Sequence, residues 1–130
     1  MTKILIIILI VLALIVGVAW KTQASETGAY EKISAQSAFS MMQERDDLLV
    51  IDVRTPQEFA EGHIQGAINV PLQTIQDGDV SALPSKDQTL LVYCRSGNRS
   101  ATASKALDTM GYSAVYDFGG ILSWPYGTVR

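Results

Sequence analysis

At 130 residues the chain has room for one ordinary domain core and not for two. Its 13 acidic residues outnumber 10 basic ones for a net charge of −3, and no basic run offsets them, which argues against nucleic acid as a partner. With one cysteine and one histidine there can be no intrachain disulfide and no Cys/His cluster for zinc; no metal site and no cofactor are expected.

The chain opens on its most apolar stretch: Ile4 to Trp20 carries no charged side chain and follows Lys3. The run lies between the core of a secretory signal, about 7–15 residues, and a spanning helix of about 20, so residues 1–24 read as a membrane anchor or signal segment. Thr22-Gln23-Ala24 is an imperfect small-x-small cleavage site, whereas Trp20 and Lys21 have the character of interfacial anchors, and the anchor reading is favoured. Lys3 and the free amino terminus tend to stay inside, which places the following residues on the extracytoplasmic side, the periplasm in a Gram-negative cell. Cleavage would release the same domain there. Residues 25–29 then form a linker, and residues 30–130 form the domain, expected to be monomeric.

Within the domain, Tyr30 to Ile33 suits a short edge strand, and Ala35 to Gln43 a helix with Ala38, Phe39 and Met42 inward. After a turn at Arg45-Asp46-Asp47, Leu48 to Val53 is a nearly continuous apolar run of the kind buried on both faces of a parallel sheet. Thr55-Pro56-Gln57-Glu58 reads as a capping box that starts a short helix. Asp52, Arg54, Glu58 and His63 are read as bracing: Arg54 seeks a carboxylate, with Glu58 the nearest candidate, and His63 satisfies backbone. Asp52 has a second reading, because the carboxyl ends of strands border ligand crevices in open α/β sheets. Gly66 to Val70 is a further short strand, and Leu72 to Val80 a weak helix or irregular crossover.

The stretch from Thr89 to Met110 reads as strand, tight loop, helix. Leu90 to Tyr93 is apolar and β-prone, and Cys94 sits at its carboxyl end. Arg95, Ser96, Gly97, Asn98 and Arg99 form the turn, and Ser100 to Met110 shows helical spacing of Ala103, Leu107 and Met110 before Gly111. A helix start favours an anion, and a thiolate is one, with Arg95 and Arg99 adding positive potential. Cys94 is therefore either a nucleophile or a small buried hydrophobe, and these residues alone leave both open. A last strand is expected over Ser113 to Tyr116, followed by a close backbone turn at Gly119-Gly120 and packing of Trp124.

Three segments in order carry a resemblance. Cys94-Arg95-Ser96-Gly97-Asn98-Arg99-Ser100 is similar to the active-site loop of rhodanese-type sulfurtransferases. Ile51 to Pro71, IDVRTPQEFAEGHIQGAINVP, resembles the family's first signature, and Gly119 to Trp124 its C-terminal one. The resemblance implies an α/β fold with a small, mostly parallel sheet of four or five strands and helices on both faces, and the apolar run Ile4 to Trp20 adds one hydrophobic helix before it. It also implies that Cys94 takes sulfane sulfur from a donor such as thiosulfate as a persulfide and yields it to cyanide or a thiol. On this view the backbone N–H groups of Arg95 to Arg99 cradle the persulfide, and the side chains of Arg95 and Arg99 attract the donor. Two other readings remain: a non-catalytic module presenting the loop to a partner, and a cysteine-dependent phosphatase or arsenate reductase. Phosphatase chemistry expects Cys-x5-Arg, and here the arginine, Arg99, comes one position early.

Overall fold

The computed structural model describes residues 30–130, and the expected anchor or signal segment and the linker lie outside the described residues. No helix among the described residues is long and apolar enough to cross a membrane.

The chain alternates strand and helix. It runs through β1 (Glu31–Lys32), α1 (Ala35–Glu44), β2 (Leu48–Asp52), α2 (Pro56–Glu61), β3 (Ile68–Asn69), α3 (Leu72–Gln76), β4 (Thr89–Cys94), α4 (Asn98–Thr109) and β5 (Ala114–Gly120). A 3₁₀ turn follows at Ile121–Ser123. The strands form one five-stranded sheet in the order β1-β5-β4-β2-β3, with every neighbouring pair parallel. Parallel neighbours need crossover connections, which the helices supply, and the sheet is thereby covered on both faces.

β4 holds the centre because all six of its residues, Thr-Leu-Leu-Val-Tyr-Cys, are buried. Strand residues alternate between faces. Leu90, Val92 and Cys94 join Ile51, Val53, Ala103 and Leu107 in one core cluster, whereas Leu91 and Tyr93 join Ala38, Val50, Ile64 and Phe118 in the other. Each large side chain so buried contributes about 1.5–3 kcal/mol. The Tyr93 hydroxyl accepts the Ile64 N–H at 3.1 Å, so a phenol inside the core is satisfied.

Local signals account for the helix starts. Ser34 accepts the Ser37 N–H at 3.0 Å and caps α1, whose Ala38 is fully buried. The capping box forms as expected at Thr55 and Glu58, with Pro56 in the first helical position of α2. α4 begins two residues before the expected Ser100, at Asn98, because Gly97 adopts φ +111°, which turns the chain directly from loop into helix. α3 is short, five residues, and the rest of the expected 72–80 segment is turn and loop.

Two expectations need correction. Arg54 pairs with Asp52 rather than Glu58: its Nη2 lies 2.7 Å from Asp52 Oδ2, the Arg54 N–H donates to Asp52 Oδ1 at 2.9 Å, and a further bond reaches the Gly62 carbonyl. The two residues stand two apart where β2 ends, so the turn itself folds the guanidinium back over the carboxylate. Asp52 is fully buried and engaged, and it does not open onto a crevice. Removing one partner of such a pair strands a buried charge at a cost of about 3–5 kcal/mol. β5 also continues to Gly120, four residues beyond the expected Tyr116, so Gly119-Gly120 belongs to the strand end rather than to a turn after it.

Candidate active site

Cys94 ends the central strand, and α4 begins four residues later. The loop between them is tight enough that the Gly97 N–H donates to Cys94 Sγ at 3.0 Å. That geometry depends on the left-handed Gly97 backbone, which a side chain would strain. The N–H groups of Ser96, Asn98 and Arg99 have no backbone acceptor among the described residues, as expected at a helix start. The sulfur thus accepts one backbone N–H, beside further N–H groups without a backbone acceptor, at the positive end of a twelve-residue helix. Only 1% of Cys94 is exposed, which restricts access to a small reagent at the loop mouth.

The loop is pressed against the end of β5. Cys94 is in register with Gly120, past an irregularity after Val92. A Cβ on Gly120 would overlap the Arg95 carbonyl and come within 2.6 Å of Ser96 Cα. Hydrogen bonds close the contact: the Leu122 N–H donates to the Arg95 carbonyl at 3.2 Å, and the buried Ser100 hydroxyl lies 3.0 Å from the Gly97 carbonyl and 3.3 Å from that of Gly119. Glycine at 120 is thus required by space rather than by its dihedral angles, which are ordinary extended ones at φ −124° and ψ 152°.

The two loop arginines differ. Arg95 is exposed and makes no ion pair among the described residues. Arg99 is clamped: its Nη1 and Nη2 donate to Glu58 Oε1 and Oε2 at 2.7 and 3.0 Å. Sequence reasoning missed this pair, since 41 residues separate its members and Glu58 already had a role in the capping box. The Arg99 hydrogen bonds hold the Glu58 carboxyl well below the usual range, at about 2, against the opposing effect of partial burial and with help from the Thr55 backbone. His63 stays with packing: its Nδ1–H donates to the Phe59 carbonyl at 2.9 Å and its ring stacks on Phe59. A cavity of about 370 Å³ lined by Phe39, Met42, Ile64, Trp124 and Tyr126, among others, shares no lining residue with the loop, whereas a second of about 290 Å³ is lined by Ser96, Gly97, Asn98 and Gly119.

The sequence profile of the "Rhodanese-like domain" family matches residues 34–125, which takes in the Asp52 turn, the Cys94 loop and the Gly119-Gly120 contact. The chain belongs to the rhodanese-like domain family. It is similar to the thiosulfate sulfurtransferase PspE of Escherichia coli K12, at 42% identity over 71 residues, 55% of this chain and 68% of that one. It is 37% identical over 94 residues to a sulfurtransferase of Allochromatium vinosum, covering 72% and 86% of the two chains. Among solved structures, a rhodanese-related protein from Thermoplasma volcanium superposes with a TM-score of 0.66 at 32% identity over 77% of this chain and 98% of that one. A rhodanese with anions from E. coli gives 0.57 at 38% identity, covering 63% and 96%.

The Glu58–Arg99 pair has a pH signature. A carboxyl whose folded value lies below its unfolded value, about 4.3, contributes stability that is full above that value and is lost as pH falls through the folded one. The contribution should therefore fade between about pH 5 and pH 2, and amount to about 1–2 kcal/mol after solvent screening. Carbon-detected NMR titration should place the Glu58 midpoint near 2, and Arg99→Met should return it toward the ordinary carboxylate range. A wild-type midpoint already in that range would contradict the clamp.

Proposed function

We infer that the chain is a rhodanese-type sulfurtransferase that carries sulfane sulfur on Cys94. The observation that carries the reading is the placement of Sγ: at the end of a central strand, 3.0 Å from the Gly97 N–H, at the start of α4. Its relatives named as thiosulfate sulfurtransferases support the reaction class.

The reaction is a double displacement. The Cys94 thiolate attacks the outer sulfur of thiosulfate, a new S–S bond forms, the old S–S bond breaks, and its electron pair leaves with sulfite. Cyanide or a thiolate then attacks the terminal sulfur of the Cys94 persulfide, and the thiolate returns as leaving group. The persulfide is itself an anion, and the loop N–H groups of Ser96 to Arg99, fixed before reaction, stabilise it without reorganising. Ser96, Gly97 and Asn98 contribute backbone rather than side chains, and exposed Arg95 attracts the donor. Arg99, engaged by Glu58, anchors the loop's helical end. Phosphatase chemistry is disfavoured by the loop spacing, in which Arg99 comes one position earlier than Cys-x5-Arg requires. No cofactor enters, and the unit is a monomer acting on small-molecule donor and acceptor.

We further propose that the N-terminal segment, as retained anchor or cleaved signal, places the domain on the extracytoplasmic face of a membrane. The support is the uncharged run from Ile4 to Trp20 behind Lys3. A reporter fused after Arg130, with N-terminal sequencing of the mature chain, should report export; a cytoplasmic reporter signal would overturn it.

Turnover of thiosulfate and cyanide should give parallel, ping-pong double-reciprocal lines, with thiocyanate formation abolished in Cys94→Ser while the unfolding midpoint stays near wild type. A folded Cys94→Ser protein that still forms thiocyanate would refute the role of Cys94.

A further inference from the structure

Glu58 stands where two functions meet. Its carboxylate receives the Thr55 hydroxyl at 3.2 Å at the start of α2 and takes both terminal nitrogens of Arg99 on α4. Both side chains are about two-thirds or more covered, at 26% and 33% exposure, so the pair is shielded from full solvent screening. Arg99 stands in the first turn of α4, five residues after Cys94, so its charge belongs to the loop that holds the sulfur. The Cys94 loop therefore carries two cations, one of which is cancelled by a carboxylate from a different helix.

We propose, resting on the sulfur-transfer reading of Cys94, that Glu58 is a positioning and specificity-determining residue: by cancelling Arg99 it sets the loop's charge and limits preference for doubly over singly charged donors. Coulomb energy scales with the product of charges, so one added unit of positive potential at the loop acts twice as strongly on a dianion as on a monoanion. Thiosulfate and an alkanethiosulfonate make the comparison. Both present a terminal sulfane sulfur to the Cys94 thiolate. In each case the S–S bond to the sulfonyl sulfur breaks and its electron pair leaves, with sulfite from the first donor and an alkanesulfinate from the second.

The test is the ratio of kcat/KM for thiosulfate to that for methanethiosulfonate, measured within each protein so that the folded fraction cancels. Glu58→Gln keeps the shape of the side chain and removes its charge. The ratio should rise about 3- to 10-fold over wild type at low salt, mainly through the KM for thiosulfate, and should converge on wild type as salt rises. Arg99→Met, which leaves the Glu58 charge unpaired, should move the ratio the other way. A clamp that only held the loop in place would lower both donors alike, and unchanged ratios in both variants would overturn the role of Glu58. Wild-type protein that takes sulfur from neither donor would instead overturn the sulfur-transfer reading beneath it.

Discussion

The structure turns on the meeting of two backbones, the loop after Cys94 and the end of β5. Gly120 brings its Cα against the Arg95 carbonyl where a Cβ would not fit, and the next turn returns a hydrogen bond from Leu122 to that carbonyl. Ser100, fully buried, adds its hydroxyl between the carbonyls of Gly97 and Gly119. With the loop pinned from behind, the left-handed Gly97 can aim its N–H at Sγ instead of at solvent. The strand order serves this contact, since placing β4 beside β5 in parallel brings the Cys94 end level with Gly120.

Charge is handled separately from shape. The Asp52–Arg54 pair is buried and closes the end of β2, where Asn69 also donates to the carbonyls of Asp52 and Arg54. Its work is structural, since a buried charge tolerates no loss of its partner. The Glu58–Arg99 pair lies nearer the surface and ties α2 to α4 across the loop. Arg95 is left as the exposed loop cation. Among the described residues the loop thus offers one open positive charge beside backbone N–H groups without a backbone acceptor, a setting that favours small anions.

Much of this was legible from residue order because the signals were local. The apolar run Leu90 to Tyr93 marked the central strand, the Thr55 to Glu58 box marked the start of α2, and a cysteine between strand and helix marked the loop. What escaped was the choice of partner. Arg54 had carboxylates at 52 and 58 within reach, and only the fold of the turn decides for Asp52, while Glu58 goes to an arginine 41 residues away. The length of β5 escaped for a related reason: glycines at 119 and 120 signal a turn locally, but pairing with β4 extends the strand through them. Periodicity reports which face a residue occupies; it does not report which distant group lies opposite.

The central claim is that the Gly120 contact places the Cys94 loop for reaction. Gly120→Ala isolates it, because alanine accepts the backbone angles at this position and only the space against Arg95 and Ser96 is lost. The measurement is the rate at which thiosulfate adds one sulfur to Cys94, followed by intact mass, beside the unfolding midpoint of the same variant. Loading should slow by about tenfold or more, the scale of a misplaced reacting group, in protein that still unfolds cooperatively. A folded Gly120→Ala variant that loads sulfur at the wild-type rate would contradict the claim.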